Sequence, residues 1–109
     1  LRSRAGASTG DTLRFGIVEV HFDKHEACRG GTRVDLTGKE FEVLRLLARH
    51  GGEIVTRERL LDEVWGYEHY PTTRTVDNHI LRLRQKLEEN PSDPRHILSV
   101  YGEGYKFVA

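Results

Sequence analysis

Residues 74–87, Arg-Thr-Val-Asp-Asn-His-Ile-Leu-Arg-Leu-Arg-Gln-Lys-Leu, read as one helix with two incompatible faces. Val76, Ile80, Leu83 and Leu87 recur at i, i+4, i+7 and i+11. At about 100° per residue they form a single narrow apolar stripe, which is the core side. Around the far pole stand Arg74, Asn78, Leu81, Arg82 and Gln85, with Arg84 on one flank and His79 and Lys86 on the other. Arg, Asn and Gln carry the donor and acceptor forks that match base edges, and Arg and Lys also neutralise phosphate. The pattern fits a helix that enters a DNA groove. A solvated surface helix would show a charge run too, so the neighbouring segments have to decide.

After the breaker Asn90-Pro-Ser-Asp-Pro94 come two alternating runs joined at Gly102-Glu-Gly104, the signature of a β-hairpin. In this hairpin Leu98, Val100, Tyr105 and Phe107 are expected inward, and Ser99, Tyr101 and Lys106 outward. Two shorter helical segments precede the long helix. Thr37-Gly-Lys-Glu40 fits a capping box that opens the first, Phe41, Leu44, Leu47 and Ala48 form its apolar face, and Gly51-Gly52 closes it. Thr56 is the expected N-cap of the second, which runs to about Trp65 and buries Leu60, Leu61 and Val64. Residues 66–73 form a loop, since Pro71 discourages helix, and Thr72 or Thr73 caps the long helix. Three helices closed by a hairpin describe a winged helix-turn-helix, whose third helix reads the major groove.

The N-terminal part differs in character. Residues 1–12 are rich in Gly, Ser, Thr and Arg without apolar period and read as an interdomain linker; residues 13–109 form the domain. Phe15, Ile17, Val18, Val20 and Phe22 indicate a strand with imperfect alternation, and Gly30-Gly31 punctuates two further short strands ending in Val34 and Leu36. The expected class is α+β, with an N-terminal antiparallel four-stranded sheet, three helices and a C-terminal wing.

At 109 residues the chain is one domain, and its 37% hydrophobic and 31% charged content excludes a disordered tail. No run of about 18 apolar residues is present, so a membrane-spanning segment is not expected. With no initiator Met and no signal peptide, the chain reads as part of a longer cytoplasmic protein. Its net charge of zero argues at first against nucleic acid. The distribution answers this: residues 74–87 set Arg74, Arg82, Arg84 and Lys86 against Asp77, whereas residues 56–68 set Arg57 and Arg59 against Glu58, Asp62, Glu63 and Glu68. Such a dipolar domain can orient on DNA and keep an acidic surface for another partner.

Four ordered segments resemble one family, the winged-helix effector domain of OmpR/PhoB-type response regulators. They are Leu36-Thr-Gly-Lys-Glu-Phe-Glu-Val-Leu44, Arg59-Leu-Leu-Asp-Glu-Val-Trp-Gly66, Arg74-Thr-Val-Asp-Asn-His-Ile80 with Arg82-Leu-Arg84, and Tyr101-Gly-Glu-Gly-Tyr-Lys-Phe107. The resemblance implies sequence-specific binding to double-stranded DNA as a dimer on tandem half-sites at promoters, under control of an upstream phosphorylatable receiver domain. It implies that Asn78 and Arg82 face bases and that Arg74, His79 and Arg84 meet phosphate; Lys86 is expected to join them. The loop with Tyr67, Glu68, His69 and Tyr70 corresponds to one that touches RNA polymerase in several members. Two positions depart from the pattern. Leu81 replaces a commonly polar or basic residue, and Tyr101 stands where an Arg often reaches the minor groove.

Other chemistries are weaker. His21, His25 and Cys28 supply only three zinc-ligand types without an obvious fourth, so no metal is expected. No Ser/His/Asp order and no phosphate-cradling loop is recognisable, so neither an enzyme nor a cofactor is expected. Trp65 is read as closing the core, with Tyr67 and Tyr70 near a loop that could serve a partner. A winged helix used for protein contact stays open as the alternative, and the salt dependence of duplex binding separates the two.

Overall fold

The computed structural model describes residues 12–66 and 72–109. Strands β1 (Thr12–Phe15), β2 (Val18–His21), β3 (Glu26–Arg29) and β4 (Thr32–Arg33) form an antiparallel four-stranded sheet in sequence order. The long strand expected from Phe15 to Phe22 is in fact a hairpin. Gly16 at φ 56° turns the chain, Ile17 is left exposed, and Phe15 pairs with Val18. The imperfect alternation of the sequence is the trace of this turn. Phe15, Val18, Val20 and Ala27 are buried on the inner side of the sheet.

Helix α1 (Gly38–Arg49) opens with the expected capping box: Glu40 N–H donates to Thr37 Oγ1 at 3.2 Å, and Thr37 N–H to Glu40 Oε1 at 2.9 Å. Val43 and Leu46 are buried along with Phe41, Leu44 and Leu47, so α1 is sunk over a wide arc. Its C-cap is His50 at φ −107°, not a left-handed glycine. Gly52, at φ 82°, instead belongs to the following turn and donates its N–H to the Phe107 carbonyl at 2.8 Å.

That contact leads into a short strand the sequence does not advertise, β5 (Val55–Thr56). It pairs with the second strand of the wing. Thr56 then caps α2 through Arg59 N–H at 3.0 Å. The helix begins as Arg57–Leu60 and continues as a π-type turn, Leu61–Trp65, closed by Gly66 N–H to Leu61 C=O at 3.2 Å. Gly66, with φ 61° and ψ −133°, ends the helix in a conformation natural only to glycine.

Helix α3 (Thr73–Leu87) buries Val76, Ile80, Leu83 and Leu87, as the periodicity requires. Thr72 is its N-cap by position but makes no side-chain capping bond, contrary to the expected cap. The wing consists of β6 (Ile97–Val100) and β7 (Gly104–Phe107), and the second sheet runs in the order β5-β7-β6. Phe15 meets Phe107 edge-on at 5.0 Å, joining the two sheets into one core with the three helices.

Candidate nucleic-acid interface

The orientation of α3 is set from three sides. Towards α2, Arg57 donates Nε–H to Asp77 Oδ1 at 3.1 Å and Nη2–H to Asp77 Oδ2 at 2.7 Å, with a further bond to Thr73 Oγ1 at 3.3 Å. From the wing, Tyr105 donates its hydroxyl to the same Asp77 Oδ1 at 2.6 Å. Burial and this bond to a carboxylate push the Tyr105 phenol up to about 12, so it stays a donor at any ordinary pH. Arg57, Asp77 and Tyr105 thus join α2, α3 and β7. The sequence pattern gives no sign of this, because the partners are far apart along the chain.

Arg84 performs a similar task further along the helix. Its Nε–H donates to the Ile97 carbonyl at 2.9 Å and its Nη2–H to Ser99 Oγ at 2.8 Å, while the guanidinium lies 5.7 Å from the Tyr105 ring centre. Burial holds its pKa below the usual arginine value, with the nearby Tyr105 phenol and Glu88 carboxylate acting the other way. Arg84, expected as a phosphate ligand, clamps β6 to α3 in this structure.

Lys86 also turns inward, donating to Glu40 Oε1 at 2.7 Å. Glu40 is fully buried, and the lysine at the far end of α3 supplies its counter-charge. The capping box was legible in the sequence, but its use of Lys86 was not. His79 is half-buried, with Nδ1–H on the Thr75 carbonyl at 2.9 Å and its ring edge-on to Trp65 at 4.9 Å. Trp65 itself is buried and closes the core, as expected.

What remains outward is a compact set. Arg74, Asn78, Leu81, Arg82 and Gln85 are all exposed, and among the described residues none of the four polar ones has a hydrogen bond or ion pair. They follow one another along the outward face of α3, and Arg74 and Arg82 keep their charges available.

The strand register changes the faces of the wing. Ile97 lies opposite Phe107 and Ser99 opposite Tyr105, so these four share the face towards α3. Leu98 and Val100, expected inward, share the other face with Lys106. The mistake has a simple cause: alternation fixes parity within each strand, and only the pairing fixes it between strands. Ser99 therefore serves Arg84, whereas Lys106 and the fully exposed Tyr101 stay on the outer wing.

Sequence reasoning also missed Glu88, which is 2% exposed. Its carboxylate accepts the N–H groups of Arg95, His96 and Ile97 at 3.0, 2.9 and 2.8 Å. Burial alone would raise its pKa, but the three N–H groups and His96 hold it below the usual carboxylate range. Glu88 thereby stops α3 and starts β6. An acidic residue directly after the last apolar position of a helix and before a Pro-rich turn was the available signal.

The remaining candidates lie apart from this face. His21 bonds Glu19 at 2.8 Å and Thr12 at 3.3 Å, His25 stacks on Phe41 at 4.8 Å, and no group of three or more potential ligands gathers among the described residues. Tyr67, Glu68, His69 and Tyr70, and the expected linker apart from Thr12, lie outside the described residues. Among those described, no helix is long and apolar enough to cross a membrane.

Comparison with known proteins agrees with this geometry. Residues 31–107 match the family described as transcriptional regulatory protein, C terminal. The chain is 46% identical over 103 residues to a probable transcriptional regulator, ycf27, of Cyanophora paradoxa, covering 93% of this chain and 43% of the relative. It thus spans less than half the length of the curated relatives it matches. Among solved structures, the response regulator DrrB of Thermotoga maritima, an OmpR/PhoB homologue, superposes with a TM-score of 0.83 at 36% identity, covering 91% of this chain and 45% of that one. The DNA-binding domain of Klebsiella pneumoniae RstA, solved with its RstA box, gives 0.76 at 35% identity, covering 89% and 96%. Sheet, helices, wing and these likenesses together place the chain in the transcriptional regulatory C-terminal family, as a winged-helix DNA-binding effector domain of the OmpR/PhoB response-regulator type.

Proposed function

We propose that the domain binds double-stranded DNA sequence-specifically by laying the outward face of α3 in the major groove. One observation carries this reading: the flanks of α3 are tied into the protein, yet Arg74, Asn78, Arg82 and Gln85 are left exposed without internal partners among the described residues. A merely solvated face would not need so rigid a mount. Arg82 and Asn78 read base edges, as a guanine and an adenine are read, and Arg74 contacts phosphate. Lys106 and Tyr101 position the wing against the backbone. Arg84, Lys86, His79 and Ser99 hold the reading face in place from within.

In the whole protein this domain follows a receiver, and two copies occupy tandem half-sites upstream of promoters. The segment with Tyr67, Glu68, His69 and Tyr70 contacts RNA polymerase. Supporting the receiver are the relatives' greater length and names.

Selection from random duplexes tests the proposal, followed by titration of the selected site and of a scrambled one. Arg82→Ala should cost about 1 to 3 kcal/mol on the selected site and far less on the scrambled one. Equal loss on both would remove its base-reading role. Failure to select any motif, together with no duplex binding at low salt, would overturn the proposal as a whole.

A further inference from the structure

Leu81 is an anomaly on an otherwise polar face. It is 52% exposed, although it sits in the middle of a well-packed helix. The other strongly exposed large apolar residues, Ile17, Ile54, Tyr101 and Val108, lie outside the helices among the described residues. One turn either way on its own helix, Leu81 has Asp77, Asn78, Arg84 and Gln85 as neighbours, so α3 itself builds no apolar patch around it. A protein-docking surface would need such a patch. A single leucine among base-reading side chains calls for a ligand with one apolar spot in a polar setting.

The major groove offers such a spot. Each base pair presents donors and acceptors there, and the thymine C5-methyl is the one apolar group among them. Position on the helix says where it would fall. Asp77 and Arg84 mark the wing side of α3 through their bonds to Tyr105 and Ser99. At about 100° per residue, Leu81 lies on the wing-ward edge of the outward face, Asn78 and Gln85 near its centre, and Arg82 on the opposite edge.

Resting on the proposed DNA-reading role, we infer that Leu81 is a specificity-determining residue that selects a thymine by its methyl group, on the wing side of the bases read by Asn78 and Arg82. The contact carries no charge, so it discriminates among sequences without adding to the salt dependence.

Deoxyuridine lacks only the C5-methyl, which makes the test direct. In the selected duplex, each thymine of one half-site is replaced singly by deoxyuridine, and affinities of the full chain and of Leu81→Ala are measured. For the unaltered chain, one replacement should weaken binding about fourfold, the worth of one buried methyl-sized group. Leu81→Ala should bind the thymine duplex more weakly and be indifferent to that same replacement. Uniform tolerance of deoxyuridine by the unaltered chain overturns the inference, as does an equal loss in Leu81→Ala, which would assign the methyl to another residue. Both results leave the base-reading proposal standing. If no duplex is selected at all, both fall. Leu81 is half in water and alanine is a strong helix former, so circular dichroism should show the variant folded.

Discussion

At the scale of single residues, the side chains around α3 divide by what they can afford to leave in water. Glu40 and Glu88 are both nearly or fully buried, and each remains tolerable only because a partner comes to it. For Glu40 the partner is Lys86. Lys86→Met should therefore destabilise the fold by about 1 to 3 kcal/mol, as leaving a buried acceptor without its partner does, and leave duplex affinity of the folded protein unchanged. Urea denaturation and duplex titration check this together. A stable variant with weakened DNA binding would return Lys86 to the phosphate contacts. For Glu88 the partners are backbone N–H groups, and the consequence is a pH dependence. Because its folded pKa is lowered, its contribution is complete above the ordinary carboxylate range near 4. It is lost as pH falls through the lowered value. Stability of the unaltered chain should then drop more steeply below about pH 4 than that of Glu88→Gln, which has no charge to lose; parallel curves would refute this role.

Elements follow a different logic, because their existence is local but their pairing is not. The stripe on α3 and the capping box of α1 could be read from spacing, since both depend on residues within one or two turns. Strand β5 could not. Two residues long, it exists because β7 accepts it, and the tolerance for that approach lies at Gly104. A Cβ at Gly104 would stand 2.2 Å from the Val55 carbonyl oxygen, with φ at 153° adding strain. Gly104→Ala should therefore cost about 3 kcal/mol or leave the chain unfolded, measured by thermal denaturation. A variant as stable as the parent would mean that β5 is dispensable. The wing's faces were misread for the related reason that its register, not its alternation, puts Ser99 beside Arg84. In the site as well, residue types were legible and partners were not. Arg84 and Lys86 look like phosphate ligands by type, and only the fold shows a carbonyl, a hydroxyl and a buried carboxylate claiming them first.

For the whole molecule, the reassigned cations change what ionic strength should do. With Arg74 and Lys106 as the phosphate contacts of one subunit, log affinity against log salt should fall with a slope of about −1.8. Four contacts, which would require Arg84 and Lys86 to leave their partners, would give about −3.6. Titration at several salt concentrations on a single half-site separates the two, and the steeper slope would refute the internal roles of these residues in the complex. Zero net charge is compatible with the shallower value.

The bonds from Asp77 to Tyr105 and from Arg84 to Ile97 and Ser99 tie α3 to the wing at two points, with Arg57 bracing Asp77 from α2. The two elements then act as the jaws of a fixed caliper. A duplex gripped by both must supply whatever bend or change of groove width closes the gap, at a cost set by the stiffness of base steps that neither jaw touches. Operators would thus be sorted by pliancy as well as by letters, and loosening the Tyr105 bond would blur that selection before it weakened the grip.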